Sequence, residues 1–137
     1  MTIQYIRQMI EKNHEGLYLV SRVIIGLLFF VHGMQKLFGV LGAKGAAAAF
    51  SLFWFAGLIE FVAGLAITLG LLTRLMVIVS AIEMLVAYFM AHFPQGWNPI
   101  ANKGELALLY FAAFLIMLWK GGGKWSVEKK LLKKELF

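Results

Sequence analysis

Residues 60–83 read EFVAGLAITLGLLTRLMVIVSAIE, and this stretch decides the fold of the chain. Two apolar runs meet at a short turn, with Glu60 ten residues before Gly70 and Glu83 ten residues after Thr73. If both runs are membrane-spanning helices, a rise of about 1.5 Å per residue places both carboxyl groups roughly 15 Å from the turn, near the middle of a roughly 30 Å hydrocarbon layer. Because a lone carboxylate is costly at that depth, each glutamate should face the bundle interior, bind a partner, carry a proton or line a wet cavity.

The composition of the chain indicates a membrane protein. Of its 137 residues, 61% are hydrophobic and 15% are charged, which is too apolar for a soluble domain of this size. The length allows a single domain, 1–137, with about four spans of about 20 residues each. The chain contains no cysteine, which excludes disulfides, thiol redox relays and cysteine-held clusters. Any redox chemistry would therefore use a bound cofactor or a partner protein.

Four apolar segments predict an all-α fold, an integral membrane four-helix bundle. They cover about residues 17–39, 48–70, 73–93 and 105–120. The segments lack the period-two alternation of strands, and isolated strands would leave backbone groups unsatisfied in lipid. At the central turn, Gly70 should end the second helix and Thr73 should cap the third.

The distribution of charge predicts the orientation, because Lys and Arg are retained on the cytoplasmic side of a membrane. Of the 13 Lys and Arg residues, ten fall on one side of the four spans and three on the other, namely Lys36, Lys44 and Lys103. We therefore expect a multi-pass protein of the plasma membrane with both termini in the cytoplasm. The termini should form amphipathic segments there, one a short surface helix carrying Ile3, Ile6 and Ile10, the other a lysine-rich helix after Ser126.

The two intramembrane acids, Glu60 and Glu83, are the candidate catalytic residues, since such groups commonly transfer protons. Gly64 lies on the same helical stripe as Glu60, and small residues let a second helix approach, so Glu60 should point inward. Arg22 lies about one turn inside the first helix, where we expect it to pair with Glu60 or Glu83 instead of reaching back to water. A purely structural role for the glutamates, as polar contacts between helices, stays open.

Eight further polar or aromatic residues form the candidate binding set: Arg22, His32, Lys36, Arg74, His92, Trp97, Asn98 and Glu105. His92 follows Glu83 by nine residues, about 180° around a regular helix, so the two share no pocket unless the helix loosens before Pro94. His32 and His92 are haem-ligand residue types, but they belong to different heights in the bundle. We expect neither haem nor a bound metal ion.

Several motifs make the chain resemble the DoxX family of small four-helix membrane proteins. The matching residues are RVIIGLLFFVHGMQK at 22–36, EFVAGLAITLGLLTR at 60–74, His92 followed by Trp97, Asn98 and Glu105, and GGGKWSVE at 121–128. The family usually has aspartate where this chain has Glu128. Similarity to this family implies a membrane subunit or partner of an oxidoreductase, linked in some members to quinone reduction.

We therefore interpret the chain as a membrane subunit associated with an oxidoreductase, binding a quinone or a similar small apolar molecule near Glu60 and Glu83. Arg22 and His32 would add polar contacts. The expected partners are the lipid bilayer, a protein of a redox complex and, in a homodimer, a second copy; a nucleic acid is not expected. Whether the chain is itself an enzyme stays open, as do two alternatives, a small proton-coupled permease or export factor and a non-catalytic membrane scaffold.

Overall fold

Five α-helices form the fold in the computed structural model, which describes residues 2–136. The helices are α1 Ile3–Phe38, α2 Leu52–Leu69, α3 Thr73–Ala87, α4 Glu105–Lys120 and α5 Val127–Leu132. Residues 2–136 contain no strand, so the all-α prediction is confirmed. The two end residues of the predicted 1–137 domain, Met1 and Phe137, lie outside the described residues.

The first helix is longer than the span predicted for it. α1 contains 36 residues, roughly 54 Å at about 1.5 Å per residue, whereas a hydrocarbon layer is about 30 Å thick. The segment with Ile3, Ile6 and Ile10 was predicted as a separate surface helix but is continuous with the rest of α1. One long helix therefore carries both the amphipathic N-terminal segment and the first span.

The second helix begins later than the predicted residue 48. Phe50 has a positive φ of 63°, which interrupts the helical backbone. The Ser51 side chain then accepts a hydrogen bond from the backbone N–H of Trp54 at 3.2 Å. This is the usual arrangement of an N-cap, so α2 begins at Leu52.

The turn between α2 and α3 matches the prediction at one residue and not at the other. Gly70 ends α2 with a φ of 73°, a conformation that glycine adopts without steric cost. Thr73 is the first residue of α3, while Leu72 occupies the capping position and makes no side-chain cap hydrogen bond. The predicted threonine cap is therefore wrong.

The third helix loosens before Pro94. α3 continues into a π-helical turn at Tyr88–His92 and a 3-10 turn at Phe93–Gln95. The backbone N–H of Phe93 bonds to the carbonyl of Tyr88, five residues earlier. Since proline disfavours a helical residue before it and donates no hydrogen bond, the helix ends here and the loop of residues 96–104 begins.

The tightest packing in the bundle is between α1 and α2. A Cβ atom on Gly33 would collide with the backbone of Phe61, and one on Gly64 would collide with the backbone of Phe30. The two glycines thus let the helix backbones touch, as small residues do in membrane bundles. This contact fixes the register of α1 against α2, and with it the position of every polar side chain on those two faces.

The apolar core lies among the four long helices. Phe29 packs against Tyr110 and Phe114, with ring centroids 5.2 and 5.0 Å apart. Large apolar side chains on the outside stay exposed, as expected for a surface that faces lipid. Within residues 2–136, three segments are long and apolar enough to cross a membrane: Ile3–Phe38, Leu52–Leu69 and Thr73–Gln95. α4 packs beside α3 and, with 16 residues, is shorter than each of these three segments.

Candidate functional site

An ion pair between α1 and α2 forms the first part of the site. The Lys36 ammonium donates a hydrogen bond of 2.6 Å to Oε1 of Glu60. Glu60 is only 3% exposed, whereas the Lys36 side chain is 30% exposed. Gly57 makes room for the lysine, because a Cβ atom there would lie 2.7 Å from the Cβ of Lys36. The glycine contact between α1 and α2 therefore places this pair.

Glu83 on α3 forms the second part of the site. It is 9% exposed, and neither of its carboxyl oxygens has a hydrogen-bond partner within residues 2–136. Glu60 and Lys36 lie within electrostatic range of this carboxyl group. Oε2 of Glu60 and the hydroxyl of Ser80, one turn before Glu83, also have no partner in the described chain. The site thus contains several buried polar atoms with unused hydrogen-bonding capacity.

Two rings border this group of polar side chains. His32 lies one turn before Lys36, and its ring meets the Tyr110 ring edge-on with 5.9 Å between centroids. His32 is within electrostatic range of Lys36, and Tyr110 is within range of Glu60. We call Lys36, Glu60, Glu83, His32 and Tyr110 the polar cluster; it draws on all four long helices.

An apolar cleft between α2 and α3 reaches Glu83 from the lipid-facing side. Its volume is about 510 Å³. Apart from Glu83, its walls are apolar and include Phe55, Ala56, Ile59, Ile82, Val86 and Met90. Many of these residues are also exposed on the outer surface. A small apolar molecule dissolved in the bilayer would therefore meet one carboxyl group in an otherwise apolar cleft.

A second pocket touches the polar cluster from the end of the bundle. It has a volume of about 430 Å³ and lies beneath the loop of residues 39–51. Gln35, Lys36 and Ser51 are the polar side chains in its wall, and the rest of the wall is mostly alanine and glycine. Lys36 therefore joins this loop pocket to the buried Glu60.

Arg22 does not pair with either glutamate, so that prediction is wrong. Arg22 is 1% exposed. Its guanidinium group donates to the carbonyls of Ile67 and Thr68, at 2.7 and 3.0 Å, and to that of Trp125 at 3.1 Å. The last carbonyls of a helix have no partner within the helix, and a cation satisfies them well. Arg22 therefore stabilises the end of α2 and the chain after α4. Lys36 occupies the position beside Glu60 that Arg22 was expected to take.

Arg74 also lies away from the polar cluster. Its Nε donates to the carbonyl of Leu118 at 3.2 Å, and its guanidinium group lies 3.4 Å from the Glu135 carboxylate. We call the end of the bundle that holds Arg22, Arg74 and Lys120 the basic end. Its contacts join α3, α4 and the C-terminal segment.

The predicted binding residues in and beside the 96–104 loop mostly make contacts within that loop. Nδ1 of His92 lies 3.0 Å from the carbonyl of Asn102, and Oδ1 of Asn98 accepts from the N–H of Ile100 at 3.0 Å. Trp97 is 80% exposed. The helix does loosen before Pro94, yet no hydrogen bond or ion pair within residues 2–136 joins His92 to a glutamate. Glu105 is exposed at the start of α4, where its backbone N–H bonds to the carbonyl of Pro99 at 3.1 Å.

Sequence reasoning missed three features of these sites: the pairing of Lys36 with Glu60, the place of Tyr110, and the role of Asn102. Asn102 is 2% exposed and bonds to Gly96 and Gly104, so it holds the loop together. A signal for the ion pair was present, since Lys36 lies one turn after Gly33 on the face that contacts α2. Nothing in the sequence distinguishes Asn102 from its neighbours.

The arrangement can hold protons and can bind a polar head group. Three carboxyl oxygens without partners accept hydrogen bonds when ionised, and a protonated carboxyl donates one. Within residues 2–136 no three His, Asp or Glu side chains lie close enough together to hold a metal ion. The roles assigned to the individual site residues stay predictions.

Comparisons with known proteins identify the family. The DoxX family matches residues 17–93. An uncharacterized protein of Haemophilus influenzae is 35% identical over 132 residues, which cover 91% of this chain and 98% of the relative. No match was found among solved structures.

Two membrane proteins are also similar over most of their length. The uncharacterized membrane protein Rv3486 of Mycobacterium tuberculosis is 27% identical over 130 residues, covering 82% of this chain and 80% of the relative. The inner membrane protein YqjF of Escherichia coli is 31% identical over 122 residues, covering 85% and 92%. The chain belongs to the DoxX family and is a helical membrane protein in contact with the lipid bilayer.

Proposed function

We propose that this DoxX-family protein binds a small apolar molecule with a polar head, a quinone being the first candidate, in the cleft between α2 and α3. One observation carries the proposal: Glu83, whose two carboxyl oxygens have no partner in residues 2–136, lies in the wall of that apolar cleft. A buried polar group without a partner costs about 1–3 kcal/mol. A ligand head that bonds to Glu83 would remove this cost.

The chemistry of a quinone fits the residues that line the cleft. A volume of about 510 Å³ falls within the range of small-molecule sites, roughly 300–1,000 Å³. Phe55, Ile59 and Ile82 offer apolar surface to a ring, and a protonated Glu83 would donate to a carbonyl oxygen. A bound quinone would supply the capacity to accept electrons and protons, while the protein would bind it, orient it and hold the protons.

The Lys36–Glu60 pair would exchange protons with Glu83 in this proposal. Lys36 borders the loop pocket, bonds to Glu60 and lies within electrostatic range of Glu83. In this proposal a proton would move from the loop pocket to Lys36, then to Glu60 and then to Glu83. Glu83 would be the group that touches the ligand, and Glu60 the group that sets its protonation state.

The protein would act as a membrane subunit or partner of an oxidoreductase. Without cysteine the chain has no thiol relay of its own. Electrons would therefore reach the bound molecule from another bound cofactor or from a partner protein. The two relatives named as membrane proteins agree with a role inside the bilayer.

Extraction of co-purified small molecules tests the proposal. The wild type, Glu83→Leu, Glu83→Gln and Glu11→Leu are purified from membranes in a mild detergent, and bound quinone is quantified by mass spectrometry. Glu83→Leu should retain about tenfold less quinone, since one lost hydrogen bond of about 1.4 kcal/mol is a factor of ten. Glu83→Gln keeps an N–H donor and should retain most of it, and Glu11 lies on an exposed part of α1 far from the cleft.

Two results would count against the proposal. One is a wild-type protein that carries no quinone, and the other is equal retention by Glu83→Leu and Glu11→Leu. Solute uptake into proteoliposomes that depends on a pH gradient, and that Glu60→Gln abolishes, would favour the permease alternative instead.

A further inference from the structure

A third cavity lies at the basic end, away from the polar cluster. Its volume is about 620 Å³, and Leu19 of α1 forms one wall. The other walls come from the segment that follows α4: Lys124, Trp125, Ser126, Val127, Lys129 and Lys130. We call this cavity the lysine groove. It combines apolar residues with three lysines.

Hydrogen bonds to the rest of the protein hold the walls of the lysine groove in place. The backbone N–H of Lys124 donates to the Glu15 carboxylate at 2.9 Å. The carbonyl of Trp125 accepts from the buried Arg22 at 3.1 Å. The Ser126 side chain is 2% exposed and accepts from the N–H of Lys129 at 3.3 Å. The groove is therefore fixed before any ligand arrives, which lowers the entropic cost of binding.

The charges around the lysine groove favour an anion. Lys129 shares the Glu135 carboxylate with Arg74, at 3.3 and 3.4 Å. Glu15 forms its ion pair with Lys120. Within residues 2–136, Lys124 and Lys130 form no ion pair with a carboxylate. Two ammonium groups thus stay available to an incoming negative charge.

The depth of the lysine groove selects the kind of anion. Leu19 lies two residues inside the span predicted to begin at residue 17, and Trp125 is 62% exposed beside it. Tryptophan is enriched where the hydrocarbon layer meets the head groups. A ligand here would place apolar groups against Leu19 and a negative group among the lysines, and basic pockets beside membrane helices bind lipid head groups in this way.

We propose that the lysine groove binds the phosphate head group of an anionic phospholipid in the adjoining leaflet. Lys124 and Lys130 would contact the phosphate, Lys129 would add positive charge, and Leu19 and Trp125 would contact the start of the acyl chains. This site is separate from the cleft at Glu83 and does not depend on what that cleft binds.

Native mass spectrometry with defined lipids tests this site. The protein is reconstituted in equal amounts of phosphatidylglycerol and phosphatidylcholine, released into detergent, and the retained lipids are counted. The groove variant is Lys124→Gln/Lys129→Gln/Lys130→Gln. The matched control, Lys12→Gln/Lys133→Gln/Lys134→Gln, removes the same charge from exposed lysines outside the groove.

The wild type and the control should retain phosphatidylglycerol at least about tenfold over phosphatidylcholine, and the groove variant should lose most of that preference, since each basic residue near an anionic surface contributes about 1 kcal/mol. An equal loss in both variants would overturn the proposal, as would a wild type without preference. If the groove variant fails to fold, Lys130→Gln replaces it; a partial loss of preference supports the site, and an unchanged preference overturns it.

Discussion

The basic end and the polar cluster both bury charged side chains, but they satisfy them differently. At the basic end, Arg22 donates to three carbonyls and Glu15 accepts from Lys120 and from a backbone N–H. In the polar cluster, Glu60 has one partner, and Glu83 has none within residues 2–136. The hydrogen bonds at the basic end stabilise the fold. The carboxyl oxygens without partners in the polar cluster cost stability, but they are available to a ligand or a proton.

Removing the Arg22 side chain should give the largest effect. Arg22→Met leaves carbonyls at the end of α2 and at Trp125 without their donor, so we expect a loss of about 3 kcal/mol in the free energy of unfolding. The measurement is unfolding in detergent micelles followed by circular dichroism. Arg7→Met is the control, because Arg7 pairs with Glu11 on an exposed surface and should contribute less than about 1 kcal/mol. Equal unfolding midpoints for Arg22→Met and Arg7→Met would contradict the view that the hydrogen bonds at the basic end stabilise the fold.

The same substitution at one glutamate of each region should have opposite effects. Glu83→Leu removes a buried carboxyl group without a partner and should raise the free energy of unfolding by about 1 kcal/mol. Glu15→Leu removes an ion pair and a bond to the Lys124 backbone, and should lower it by about 1 kcal/mol. Both are measured by the unfolding assay used for Arg22. A Glu83→Leu protein that is less stable than the wild type would indicate that Glu83 stabilises the fold and does not serve to bind a ligand.

The sequence predicted the polar residues in the bundle better than it predicted their partners. The equal distances of Glu60 and Glu83 from one turn, together with the apolar runs, are enough to place two acids inside helices. Pairing depends on helix register, and the contact of Gly33 with Phe61 that sets it is visible only in three dimensions. Arg22 was expected beside an acid because a buried cation was assumed to pair with a carboxylate side chain. In the structure the ends of a neighbouring helix supply backbone acceptors instead.

Acid titration of Glu15, at the basic end, should give the smallest effect. The Lys120 ammonium, followed by the Lys124 backbone N–H, lowers the pKa of Glu15, which precedes the predicted first span, from 4.5 to about 2. Because its pKa is lower in the folded state, the stabilisation by Glu15 is complete above about pH 4.5 and is lost as the pH falls towards 2. Glu15 is partly exposed, so we expect a change below about 1 kcal/mol.

Lys120→Met isolates this effect, because it removes the main cause of the lowered pKa of Glu15. The difference in unfolding free energy between the wild type and Lys120→Met, measured at pH 6, 4 and 2.5, should shrink as the pH falls. Lys44→Met is the control, since Lys44 lies in the exposed loop at the opposite end of α1, and its difference from the wild type should not follow this trend. A difference for Lys120→Met that stays constant with pH would mean that the pair with Glu15 adds nothing to stability. The basic end would then depend on Arg22 and its carbonyl partners.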